Sequence, residues 1–169
     1  MILGNGYATG YSADRVRKRA EFAAKAITSL SRSTGATAVV VHGNSGVSCG
    51  FAALMVTDTP FNLVLLRKDN DNSHGSPIEG PDGHRLDKYL ILDDFVSSGA
   101  TMNRIRDKID TLHGQVAWSS PRPECVGIVL YGYHHTGSFK FTDGPIVPVL
   151  SRKSPQLSGD WGMPAPSTD

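Results

Sequence analysis

Tyr89-Leu90-Ile91-Leu92-Asp93-Asp94-Phe95-Val96-Ser97-Ser98-Gly99-Ala100-Thr101-Met102 is the stretch on which the reading of this chain turns. Tyr89 to Leu92 is a short apolar run flanked by polar residues, the pattern of a buried strand in a parallel sheet. Two carboxylates follow at once, then two hydroxyls, a glycine, a small residue and a third hydroxyl. Met102, Ile105, Ile109 and Leu112 recur at spacings of three and four, which is one face of an amphipathic helix. The order is strand, acidic pair, hydroxyl-and-glycine loop, helix.

That order has a chemical meaning. A loop leading into a helix presents unpaired backbone N–H groups at the positive end of the helix dipole, and together these bind a phosphate. Ser97, Ser98 and Thr101 add hydroxyl donors, and Gly99 lets the backbone come close or take a positive φ. Asp93 and Asp94 cannot hold the phosphate, because like charges repel. They suit sugar hydroxyls, or the water shell of Mg²⁺. A ligand with vicinal hydroxyls beside a phosphate, such as a ribose 5-phosphate, meets both demands.

Leu90 to Thr101 resembles the phosphoribosyl-pyrophosphate (PRPP) motif of the type I phosphoribosyltransferases. The resemblance implies an α/β fold with a parallel sheet flanked by helices and a small hood built from the termini. It implies that Asp93 and Asp94 bind the ribose hydroxyls and, through water, Mg²⁺. It places Val96, Ser97, Ser98, Gly99, Ala100 and Thr101 around the 5-phosphate.

Length and composition set the frame. A chain of 169 residues suggests one domain. With 39% hydrophobic and 20% charged residues it reads as globular, and a net charge of +1 argues against a large nucleic-acid surface. No apolar run approaches membrane-spanning length. Residues 1–11 lack the basic start and apolar stretch of a signal peptide, so a cytoplasmic location is the expectation. Cys49 and Cys125 fall inside expected core elements and read as buried thiols rather than a disulfide.

Residues 1–11 read as a flexible N-terminus, 12–150 as the folded domain and 151–169, rich in Ser, Pro and Gly, as a tail. Ser12 or Asp14 is placed to cap a helix whose apolar stripe is Val16, Ala20, Ala23, Ile27 and Leu30, and Gly35 marks its end. Ala36 to Val41 is a second strand. It runs into a loop, His42 to Gly50, with an apolar helix beyond. No Gly-Lys-Ser/Thr occurs, so this is not a Walker loop. By order and position it is similar to the family's pyrophosphate loop, with the backbone N–H groups of Gly43, Asn44, Ser45 and Gly46 forming an anion-binding concavity.

Phe61 to Leu66 is a third strand, ending in Arg67-Lys68. Residues 69–87 show no periodicity and read as a lid. Arg67, Lys68 and His74 resemble the catalytic loop of the orotate-type enzymes, except that Asn72 stands where a second lysine belongs. Val126 to Tyr131 is another strand, and Tyr131 and Tyr133 beyond it offer aromatic faces for a base. Ile146 to Leu150, beside Pro145 and Pro148, reads as an edge strand.

These features imply transfer of the 5-phosphoribosyl group of PRPP to a nucleobase with release of pyrophosphate. The alternative is a non-catalytic PRPP- or nucleotide-binding regulator of the same fold. The expected partners are PRPP and a base, without nucleic acid or membrane; the resemblance also implies a homodimer.

Overall fold

The computed structural model describes residues 13–67, 76–82, 86–115, 121–132 and 137–152. The expectations for residues 1–11, Lys68, His74, Tyr133 and most of the tail therefore fall outside the described residues.

Helix α1 spans Ala13–Thr34 and buries Ala20, Ala23, Ala24, Ala26, Ile27 and Leu30, the face expected from its spacing. Gly35, at φ +75°, ends it; its N–H donates to the Ser31 carbonyl at 2.9 Å, as a left-handed C-terminal residue should. Strand β1 (Ala38–His42) leads into α2 (Gly43–Val56), and β2 (Asn62–Leu66) into the two-residue β3 (Ile78–Glu79). Strand β4 (Lys88–Asp93) is followed by α3 (Ala100–Gln115), then β5 (Glu124–Leu130), β6 (Ser138–Lys140) and β7 (Ile146–Ser151). No helix among the described residues is long and apolar enough to cross a membrane.

The strands form one seven-stranded sheet in the order β3-β2-β1-β4-β5-β7-β6. The inner five run parallel, and short antiparallel strands close both edges. Strand alternation sorts the core into two layers. Val40, Tyr89, Ile91, Ile128 and Leu130 pack against Met102, Ile105, Ile109 and Leu112 of α3. Val39, Val41, Leu90, Leu92 and Val129 face α1 and α2 on the other side. This two-sided burial is why the parallel strands read as unbroken apolar runs.

Three local expectations need correction. Residues 43–50 are not a loop, because α2 begins at Gly43 itself. Within 69–87, residues 78–79 form β3, which pairs antiparallel with Leu65 and Leu66. Strand β7 is not an edge strand: Ile146–Pro148 pair with β6, and Val149–Ser151 pair with β5. Pro148 sits where the pairing passes from one neighbour to the other, so its missing N–H costs the ladder little.

Candidate active site

The sheet order creates a crevice. β1 leaves through α2 on one face and returns as β2 on one side; β4 leaves through α3 on the other face and returns as β5 on the opposite side. The winding reverses between β1 and β4, which are neighbours in register, with Val41 beside Leu92. In open α/β sheets ligands bind outside the carboxyl ends of the strands at such a switch point. A cleft of about 340 Å³ lies there, lined by the strand end His42, Gly43 to Ser45 of α2, and residues 93–102.

Two helix starts converge on this cleft. Neither α2 nor α3 carries an acidic residue in its first turn, so neither dipole is neutralised by its own side chains. The N–H groups of Gly43 to Gly46 are therefore first-turn amides, the unpaired donors of a helix end, rather than those of a loop. Gly46 has a packing reason too: a Cβ there would lie 3.1 Å from the Leu92 carbonyl oxygen and 3.3 Å from Val41 Cβ. The α2 start thus rests directly on β1 and β4.

Residues 94–99 form the loop between β4 and α3, and Ala100 and Thr101 open the helix. Gly99 takes φ +77°, and a Cβ would lie 2.8 Å from the Phe139 ring, so conformation and space both demand glycine. Ser97 and Ser98 are exposed, with Ser98 Oγ accepting from the Ala100 N–H at 3.3 Å. Val96 is half-buried and packs on the α3-side core, so it anchors the loop through its side chain.

Asp93 is the buried member of the acidic pair, at 7% exposure, while Asp94 is half-buried. Burial pushes the Asp93 carboxyl up to about 7; the Asp94 charge adds to this, and the Asp94 N–H donating to Asp93 Oδ1 at 2.8 Å opposes it. A buried acid held this way is costly to the fold. The main chain behind the pair is fixed as well. The Tyr131 N–H donates to the Asp93 carbonyl at 3.1 Å, and the Gly132 N–H to the Asp94 carbonyl at 2.9 Å. A Cβ at Gly132 would lie 2.6 Å from the Asp94 carbonyl oxygen.

The site residues expected from sequence separate into three groups. Asp93, Asp94, Val96 to Thr101, Gly43, Asn44 and Ser45 all line the one cleft. Arg67 does not: its guanidinium is ion-paired to Glu79 on β3, with Nε donating to Glu79 Oε1 at 2.6 Å. Its carbonyl accepts from Lys108 Nζ at 2.7 Å. Tyr131 is buried at 4% exposure within the α1/α2-side core, with the Arg19 guanidinium 6.0 Å from its ring centre. Burial pushes its phenol above the usual range. The ring is a packing element rather than an exposed stacking face.

Sequence reasoning missed His42 and Arg104, which also line the cleft. His42 Nδ1 lies 2.9 Å from the Leu66 carbonyl, and a carbonyl partner requires the proton on Nδ1 in the neutral ring. Its position as the last residue of β1 was the available signal. Arg104 sits three residues beyond Thr101, one turn into α3 and on the same side.

Asp93 and Asp94 put two carboxylates at the end of β4, and no group of three or more potential metal-binding side chains occurs among the described residues.

Among solved structures, the chain is similar to an orotate phosphoribosyltransferase from Francisella tularensis, with a TM-score of 0.52 and 15% identity over 71% of this chain and 51% of that one. The chain thus spans about half the length of that protein. Similarity extends to a hypothetical protein from Neisseria gonorrhoeae with bound ppGpp, at TM-score 0.46 and 18% identity, covering 85% of this chain and 81% of that one. A hypoxanthine-guanine phosphoribosyltransferase from Bacillus anthracis gives TM-score 0.44 and 11% identity, covering 83% and 78%. No family model matches the chain, and no curated protein matches it in sequence. The parallel sheet wound both ways from a β1–β4 switch point, and its likeness to the orotate enzyme, establish that this chain has the type I phosphoribosyltransferase fold.

Proposed function

We propose that the protein transfers the 5-phosphoribosyl group of PRPP to the nitrogen of a nucleobase or similar acceptor, releasing pyrophosphate. The observation that carries this reading is the convergence, in one cleft at the switch point, of an acidic pair with two helix starts free of acidic side chains. Asp93 and Asp94 hold the ribose hydroxyls. Residues 97–101 hold the 5-phosphate, and the first-turn amides of α2 receive the pyrophosphate.

Displacement at the ribose carbon passes through an oxocarbenium-like state, as in related glycosyl chemistry. Such a centre needs the leaving charge neutralised and water kept out more than it needs covalent help. Mg²⁺ bound with the diphosphate would supply part of that neutralisation. Arg104, at the rim of the cleft, supports the same role from the protein side. Lys68 is assigned to the leaving group, and His74 to the catalytic loop, by resemblance alone.

A second reading, a PRPP- or nucleotide-binding regulator without turnover, is favoured by one observation: the Arg67 guanidinium is committed to Glu79. Pyrophosphate release from PRPP and Mg²⁺ across a panel of purine and pyrimidine bases, with a no-base blank, separates the two. Base-dependent release supports the transferase and names the acceptor. PRPP binding with no release from any base supports the regulator. Absence of PRPP binding refutes the transferase, and absence of both PRPP and nucleotide binding refutes the regulator as well.

A further inference from the structure

The geometry points to Asn103 as a positioning residue for the phosphate loop, an inference that rests on residues 97–101 being that loop. Asn103 lies in the first turn of α3, half-buried, and does not line the 340 Å³ cleft. Its side chain nevertheless bridges two backbone segments. Nδ2 donates to the Gly99 carbonyl at 3.0 Å, and Oδ1 accepts from the Thr142 N–H at 2.8 Å. The amide orientation is dictated by the partners: a carbonyl can only accept and a backbone N–H can only donate. The Gly99 carbonyl accepts a second bond, from the Asn103 N–H, at 3.1 Å.

The planarity of the peptide unit turns this into control of the site. The Gly99 carbonyl and the Ala100 N–H belong to one rigid plane. Fixing the carbonyl on the Asn103 side fixes the direction of the Ala100 N–H, which donates to Ser98 Oγ at 3.3 Å and so ties down the loop at the mouth of α3. Gly99 is the weak point of the loop, since a glycine at positive φ has more alternative conformations than any other residue. Asn103 is placed to suppress them.

The Thr142 end of the bridge is itself anchored. Thr142 follows Phe141 in the connection from β6 to β7. Phe141 stacks edge-on with Phe139 at 5.0 Å, and Phe139 presses on Gly99. One turn further along α3, the Arg106 guanidinium lies 5.4 Å from the Phe141 ring centre and donates to the Asp143 carbonyl at 3.4 Å. The β6–β7 turn is thus a buttress, and Asn103 carries its rigidity to the loop. Without the bridge, the ligand must order the loop as it binds, and affinity falls accordingly.

The test uses the full chain, isotopically labelled, with Asn103→Leu, which keeps the bulk but neither hydrogen bond, and the gentler Asn103→Ser. Calorimetry with PRPP and Mg²⁺ is expected to show about tenfold weaker binding in both, the worth of one to two hydrogen bonds. Amide spectra are expected to change only around residues 97–104 and 139–144. Wild-type affinity in both variants overturns the inference, as does weaker binding with shifts spread through α1 and α2, which would mean general loosening. Wild-type protein that does not bind PRPP removes the proposed function, and this inference with it.

Discussion

Replacing Asp93 with Asn should make the protein more stable above neutral pH while weakening the ribose contact proposed for it. The carboxyl is 7% exposed, and burial raises it from 3.8 to about 7. The folded state therefore holds this proton more tightly than the unfolded chain does. Below about pH 4 both states are protonated and the group costs nothing. As pH rises from about 4 to about 7, the unfolded chain ionises first, so stability is lost through that window and the loss is complete above it. The difference of roughly three pH units, at ~1.36 kcal/mol each, sets a ceiling of about 4 kcal/mol. Asn has no such cost, and its Oδ1 can still accept from the Asp94 N–H, the bond Asp93 makes at 2.8 Å. For a chain of this size about 1 kcal/mol moves Tm by roughly 2–4 °C, so a gain of up to about 8–16 °C is expected at pH 8. Thermal melts of both proteins from pH 4 to pH 9 read this directly. The difference should be near zero at the acid end, grow to about pH 7, and then level off. A variant less stable than wild type at pH 8, or a difference independent of pH, would refute the assignment of a buried, destabilising carboxylate.

The other predictions concern the loop and the thiols. Asp94→Asn should lower PRPP turnover by about tenfold to a hundredfold, the worth of one charge-assisted hydrogen bond; an unchanged rate of pyrophosphate release would sink its ribose role. Gly99→Ala must hold φ +77° and place a methyl 2.8 Å from Phe139, so a loss of about 1–3 kcal/mol is expected in chemical denaturation. Wild-type stability there would show that the loop adopts another backbone. Cys49 and Cys125 are 7% and 4% exposed, and burial pushes both thiols up to about 12. Both should resist a thiol reagent at pH 8 until the chain is unfolded, and prompt labelling of native protein would contradict their placement.

Much of this molecule was legible because the decisive features are local. Met102, Ile105, Ile109 and Leu112 are spaced as a helix face, and all four are buried. The strand from Tyr89 to Leu92 declared itself by an unbroken apolar run, and the acids and hydroxyls beyond it follow within a few residues in one turn of backbone. A strand–loop–helix unit carries its own geometry, so a sequence pattern can specify it.

What escaped was set by contacts distant in sequence. Arg67 looked poised for a leaving group, but a two-residue strand placed Glu79 beside it, twelve residues away. Tyr131 looked like a stacking face, but it continues the alternation of β5 in the layer of Val129 and so faces α1 and α2. Asn103 carried no signal at all, since its two partners are four residues back and thirty-nine residues ahead. The chemistry of the site, an acidic pair beside a hydroxyl-and-glycine helix start, belongs to the sequence alone, because it depends on residue types and short-range hydrogen bonding. The meeting of that unit with the start of α2, at the point where the winding reverses, belongs to the tertiary structure, because strand order is set by packing across the whole sheet.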